Sequence, residues 1–95
     1  MNLVWIENVR RAFGALYGEK RGPAVCGAVI PGIMADFRKE LQNAPEGSPV
    51  TETYRLDDRR GDVIAAGYRR GAALYLTGLS VGGVPVDLGA SELPL

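Results

Sequence analysis

Three glycines in the second half of the chain constrain its fold more than any other feature of the sequence. They are Gly61, Gly67 and Gly71. In one helix over residues 57–76, all three would be interior, and each would cost about 0.8–1 kcal/mol relative to alanine. In strands, Gly61 and Gly71 become turn residues, where glycine adopts a positive φ without strain. The glycine spacing favours strands over 62–68 and 72–81, and one helix over 57–76 is the alternative.

Three further strands are predicted from short apolar or β-branched runs that lie between turn residues. They cover about 24–30, 50–56 and 84–88. Gly82 and Gly83 separate the last two strands of the chain, which is typical of a two-residue hairpin. Pro85 cannot donate a backbone hydrogen bond, so it indicates that the last strand lies at an edge of the sheet.

Helical spacing of apolar residues predicts two helices in the first half of the chain, over about 3–17 and 31–43. In the first helix these residues are Trp5, Val9, Ala12, Phe13 and Leu16. In the second, Pro31 suits the first turn, where an N–H has no partner within the helix. The predicted fold is α+β, with both helices packed on a small, mainly antiparallel sheet. We expect one domain over 1–95, with 89–95 as a loose C-terminal tail.

The residue composition argues against several classes of function. Eleven basic and eleven acidic side chains cancel, so no long-range field attracts nucleic acid or an anionic membrane. One cysteine and no histidine leave no Cys-His or Ser-His pair and no ordinary zinc site. Cys26 lies in an apolar run and is expected to be a buried side chain. We expect a cytoplasmic protein without catalytic residues, cofactor, metal or membrane segment.

Five of the basic residues are arginines in one segment of the second half. They are Arg55, Arg59, Arg60, Arg69 and Arg70. A seven-residue strand at about 3.3 Å per residue would hold the two Arg-Arg pairs some 20 Å apart, too far to share one phosphate. In the helical alternative, the two Arg-Arg pairs lie about 15 Å apart, and Arg59 and Arg70 share a face and form a basic stripe. Solvated turn charges are the favoured interpretation.

Two classes of function remain. The first is a small, non-catalytic protein-protein interaction or assembly module, because an edge strand and an apolar tail offer contact surface. A protein partner or self-association is expected, and Leu93 and Leu95 of the tail join the five arginines as the candidate binding surface. The alternative is a nucleic-acid-associated module that uses the arginine-rich segment 55–71, with Tyr54, Tyr68 and Tyr75 as stacking groups. Zero net charge disfavours that alternative.

Two short stretches resemble a known family. The sequences GAVIPG, over 27–32, and RRGDVIAAG, over 59–67, are similar to stretches in the small head–tail attachment proteins of lambda-like phages. Those are α+β assembly proteins without enzymatic activity, so the resemblance implies an assembly role and an origin in a phage or mobile element. This chain departs from the family pattern at 33–41, where a helix is predicted, and no functional residue carries over.

Overall fold

The computed structural model describes residues 4–56 and 61–95. In these residues two helices precede five strands: α1 (Val4–Tyr17), α2 (Arg21–Gln42), β1 (Val50–Arg55), β2 (Asp62–Arg70), β3 (Ala73–Val81), β4 (Val84–Pro85) and β5 (Leu93–Pro94). The strands form an antiparallel sheet in the order β1-β2-β3-β4, and β5 pairs with β3. The α+β prediction is confirmed, and the described part of 57–76 is strand rather than helix.

The strand predicted at 24–30 is wrong, because these residues belong to α2. Buried residues of α2 continue at helical spacing on both sides of Pro31: Cys26, Ile30, Phe37 and Leu41. Pro31 is exposed, and so is Gly27, whose carbonyl lacks the hydrogen bond that a proline nitrogen cannot donate. That bond is missing on the solvent side of the helix, where water replaces it at little cost. The helix predicted over 31–43 therefore begins ten residues earlier, at Arg21.

The two helices meet at a close backbone contact between Gly14 and Gly22. Gly22 is buried, and a Cβ atom added to it would lie 2.5 Å from the Cα atom of Gly14. Gly18 joins the helices with a φ of 94°. Its N–H donates to the carbonyl of Gly14, and its own carbonyl accepts from the N–H of Gly22, both at 2.8 Å. This contact sets the position of α2 relative to α1.

The core lies between the helices and one face of the sheet. Its largest fully buried side chains are Phe13, Phe37, Leu41, Leu76, Val9, Val63 and Val81. On β2, Val63, Ala65 and Gly67 are buried, whereas Ile64 between them is 37% exposed. The alternation gives the sheet one face covered by helices and one face open to solvent.

The glycine turns agree with the prediction. Gly71 has a φ of 58° in the turn between β2 and β3. Gly82 and Gly83 have φ values of 59° and 83°, the positive pair that a two-residue type I′ hairpin needs. The strand after this hairpin is shorter than predicted, because β4 ends at Pro85 rather than at residue 88.

The segment 89–95, expected to be a loose tail, is instead held against the sheet. Its residues Leu93–Pro94 form β5 and pair with β3. Leu88 and Leu93 are only 4% and 5% exposed. They join the core cluster, and the area they bury offsets the conformational entropy lost by ordering the segment.

Candidate protein-binding groove beside an open sheet edge

A groove of about 590 Å³ runs between α2 and β1. Its helical wall is a stripe of three half-buried residues, Val25, Val29 and Ile33. They recur every four residues, so they stack along one flank of α2. The strand wall consists of β1 residues and the following Leu56. The stripe is therefore apolar surface that the fold leaves only partly covered.

The strand beside this groove is an edge strand. In the described sheet, β1 pairs only with β2. The N–H of Leu56 donates to the carbonyl of Gly61 at 3.2 Å, and backbone groups alternate in direction along a strand. The groups of Glu52 and Tyr54 therefore point toward β2, and those of Thr51, Thr53 and Arg55 point away from it. These three residues offer unpaired backbone donors and acceptors at the mouth of the groove.

The charges of the described residues differ between the two ends of the groove. Arg21 and Arg55 both line the groove, and Arg21 lies at the amino terminus of α2, which adds partial positive charge to that end. The guanidinium of Arg21 lies 5.6 Å from the ring centroid of Tyr17, which holds the side chain over the groove wall. Asp36 and Glu40 follow at least fifteen residues later on α2, about 22 Å along the helix. The groove is therefore basic at one end and acidic at the other.

Tyr54 marks the acidic half of the groove. Burial raises the pKa of its phenol, and the carboxylates of Asp36, Glu52 and Glu40 raise it further. The hydroxyl is buried beside the carboxylate of Asp36, but the two groups do not reach full hydrogen-bonding geometry. An unpaired buried hydroxyl costs about 1–3 kcal/mol. A group that entered the groove and accepted this hydrogen bond would recover part of that cost.

The arginines predicted as a binding surface do not form one cluster. The guanidinium of Arg69 donates to the carbonyls of Ala44 at 3.1 Å and Gly71 at 2.7 Å, which ties the loop before β1 to the β2–β3 turn. Arg70 lies at the end of β2 farthest from Arg55, because Arg55 pairs with Asp62 at the strand's start. Eight steps along β2 separate these ends by about 26 Å. Of the predicted residues that the structure describes, only Arg55 lines the groove.

The remaining residues of the predicted binding surface do not line the groove in the described part of the chain. Arg59 and Arg60 lie outside the described residues. Leu93 is buried in the core cluster, and Leu95 is half-buried against it. The two leucines therefore contribute mainly to the fold of this chain.

Two of the three predicted tyrosines come together on the open face of the sheet. The rings of Tyr68 and Tyr75 stack with their centroids 5.3 Å apart and an interplanar angle of 25°. The guanidinium of Arg70 lies 5.5 Å from the ring centroid of Tyr68. Tyr54 lies on the other face, since it pairs with the buried Val63.

The groups that could carry chemistry are sparse in the described part of the chain. Cys26 is buried, and burial raises the pKa of its thiol more than the nearby Arg10 lowers it, which disfavours the reactive thiolate. Within residues 4–56 and 61–95, no group of three or more His, Cys, Asp or Glu could hold a metal ion. Neither helix of these residues is long and apolar enough to cross a membrane.

Sequence reasoning missed the groove because it assigned residues 24–30 to a strand. The signal was present as the four-residue spacing of Val25, Val29 and Ile33, which continues through Pro31. No match to this chain is found among protein-family models, curated proteins or solved structures. What can be inferred about function therefore rests on the groove and on the open face of the sheet.

Proposed function

We propose that this chain is a small, non-catalytic protein-binding or assembly module, and that the groove between α2 and β1 is its binding surface. The observation that carries the proposal is the position of an unpaired strand edge beside a partly covered apolar stripe. An extended segment of a partner can add to such an edge through backbone hydrogen bonds while its alternate side chains enter the groove.

The groove also specifies the chemistry of its partner. The stripe of Val25, Val29 and Ile33 favours apolar side chains at the centre of the bound segment. Arg21 favours an acidic group at one end. Asp36 and Glu40 favour a basic group at the other end, which fixes the direction of the segment.

An origin in a phage or mobile element would fit an assembly role. That part of the proposal is supported only by the similarity of two short stretches to phage head–tail attachment proteins. The first of them, 27–32, lies inside α2. The second begins outside the described residues and continues along β2.

A displayed library of extended peptides tests whether the groove binds protein. Peptides selected on the wild-type chain should lose binding to Val29→Lys, which places a charge on the apolar stripe. They should keep binding to Ala28→Lys, because Ala28 is exposed about 100° around α2 from Val29 and does not line the groove. Selection that yields no binder on a monomeric chain, or binders equally tolerant of both variants, would contradict the proposal.

A nucleic-acid-associated role is the second candidate. The observation that favours it is the stack of Tyr68 and Tyr75 beside Arg70 on the open face of the sheet, an arrangement suited to stacking on single-stranded bases. Binding to an oligonucleotide should weaken steeply with salt and should fall in Tyr68→Leu. A chain that shows no retention on heparin or single-stranded DNA at low salt does not have this role.

A further inference from the structure

We propose that the occupant of the groove is a second copy of this chain, bound through antiparallel pairing of the two β1 strands about a two-fold axis. The proposal rests on the groove being a protein-binding surface, and it names the partner. Three independent features of the groove support self-pairing: the backbone register, the apolar stripe and the distribution of charge.

The backbone register of β1 is compatible with two-fold pairing. The outward groups belong to Thr51, Thr53 and Arg55, which are spaced symmetrically about Thr53. If Thr53 lies opposite Thr53 of the second copy, Thr51 lies opposite Arg55, and all three residues find hydrogen-bonding partners. The axis is then perpendicular to the sheet, so the helices of both copies lie on the same face. The product is one continuous sheet.

The same axis brings the two α2 helices together. α2 packs over both β1 and β2, and neighbouring strands lie about 4.8 Å apart. The two helices would therefore be about 10 Å apart, the ordinary separation of packed helices. They run antiparallel, and the proposed arrangement places Val29 opposite Val29 of the second copy, so that Val25 lies opposite Ile33. Each stripe then covers the other.

The charge distribution of the groove is self-complementary. Because the helices are antiparallel, the basic end of one groove meets the acidic end of the other. Arg21 then lies beside Asp36 and Glu40 of the second copy. Across the dimer, these residues bring two guanidinium groups and four carboxylates together. The chain carries no net charge, so no long-range repulsion opposes the encounter. A polyanion would match only the basic end.

Glu52 is the feature that most opposes edge pairing. Its side chain points toward the helix side of the sheet, and an inward charge on an edge strand is a common protection against pairing. In the proposed register, Glu52 lies opposite Tyr54 of the second copy, at a Cβ separation of about 5 Å. The phenol of Tyr54 already lies near the carboxylates of Asp36, Glu52 and Glu40 of its own chain, and Glu52 of the second copy becomes a further acceptor beside it. In this register, the carboxylate of Glu52 contacts Tyr54 of the second copy.

Sedimentation of the whole chain and of two pairs of variants tests the interface. The wild type should have the mass of two chains. Thr53→Pro removes an outward N–H and should be monomeric, whereas Thr53→Val, which keeps that N–H, should stay dimeric. Val29→Lys should be monomeric and Ala28→Lys dimeric. Circular dichroism confirms that each monomer is folded, and if Thr53→Pro does not fold, the lysine pair alone decides.

A charge exchange tests the register of the helices. Arg21→Glu and Asp36→Arg should each weaken the dimer about tenfold or more, and the double variant should recover most of the loss. Recovery requires that these two side chains meet across the axis. A double variant weaker than either single variant overturns the proposed arrangement.

The failure of the dimer and the failure of the protein-binding role give different results. A wild-type chain that is monomeric at about 1 mM but binds selected peptides in the groove has a protein-binding role with a different partner. A monomer that also selects no peptide has neither. A dimer that persists unchanged in Thr53→Pro and Val29→Lys uses another surface, and the second-copy proposal is then wrong.

Discussion

The two edges of the sheet are built differently. The edge at β1 is a strand of six residues without proline. The opposite edge is divided between β4 and β5, which have two residues each. Each of these short strands ends in a proline, Pro85 and Pro94. One edge therefore presents a continuous row of backbone groups, and the other presents an interrupted one.

The difference indicates where the molecule can add a strand. Proline lacks an N–H, and short strands offer few groups to pair, so the β4–β5 edge resists extension. The β1 edge has no such interruption and lies beside an apolar groove. Only charged side chains, such as Glu52, oppose the addition of a strand at this edge. A partner with charges of opposite sign at the facing positions can neutralise them. The asymmetry is what a directional assembly contact requires.

The largest expected effect on stability concerns the pairing of β2 with β3, the two strands that lie between the two edges of the sheet. Gly67 lies at the register shift of β2, and a Cβ atom there would collide with the carbonyl oxygen of Tyr75 and lie 3.2 Å from the ring of Phe37. Gly67→Ala should lower the free energy of unfolding by about 3 kcal/mol or more, since backbone on one side and a buried ring on the other leave no room to relax. Urea denaturation measures the change.

Gly78→Ala is the matched control for this substitution. Gly78 also lies in the central pair of strands, but a Cβ atom there would make an ordinary contact, 3.6 Å from the Cβ atom of Ala66. Its effect should stay within about 1 kcal/mol. Equal effects at both positions would show that the close approach at Gly67 does not exist, and the link between the two edges would need a different description.

The second prediction concerns the placement of α2 beside the open edge. Gly22→Ala would force apart the backbone contact with Gly14 and should cost about 2–3 kcal/mol. Gly27→Ala, in the same helix, meets no atom within 4 Å and should stabilise the chain by up to about 1 kcal/mol through helix propensity. Thermal unfolding of both variants measures the contrast. A neutral Gly22→Ala would mean that the helices are farther apart and that the groove has another shape.

The sequence predicts the central strands correctly, but it does not predict the first half of the helix that lies beside the open edge. The strands over 62–68 and 72–81 were predictable because Gly71 and the Gly82-Gly83 pair specify turns locally. The stretch 24–30 was not, because seven mostly apolar residues fit a buried strand or a buried helix equally well. Only the packing of α2 against the sheet decides between them. The groove depends on the same packing, so the four-residue spacing of Val25, Val29 and Ile33 indicates its helical wall only once 24–30 is assigned to a helix.

The third prediction separates the two directions of backbone groups on β1. The N–H of Glu52 points toward β2, so Glu52→Pro should remove a hydrogen bond of the sheet and cost about 2 kcal/mol. The N–H of Thr53 points away, so the proline in Thr53→Pro should cost the isolated chain less than about 1 kcal/mol. Urea denaturation at a concentration where the chain is monomeric measures both. The reverse order would show that the outward groups are those of Glu52 and Tyr54.

The smallest expected effect concerns the unpaired hydroxyl at the open edge. Burial and then the neighbouring carboxylates raise the pKa of Tyr54, so the folded chain favours the neutral phenol. This contribution is fully present below the pKa of an unfolded tyrosine, about 10, and is lost as the pH rises through the higher folded value. Tyr54→Phe removes both the unpaired hydroxyl and its titration.

The variant should therefore match or exceed the wild type in stability near neutral pH, by at most about 1 kcal/mol. Above about pH 10, the wild type should lose stability more steeply than Tyr54→Phe, because only the wild type must keep this phenol neutral in order to stay folded. The measurement is the free energy of unfolding of both proteins as a function of pH. The difference between the two curves cancels the titration of the other residues. Parallel curves up to the alkaline limit of folding would mean that the hydroxyl of Tyr54 is solvated, and the open edge would then lack a buried donor for an incoming strand to satisfy.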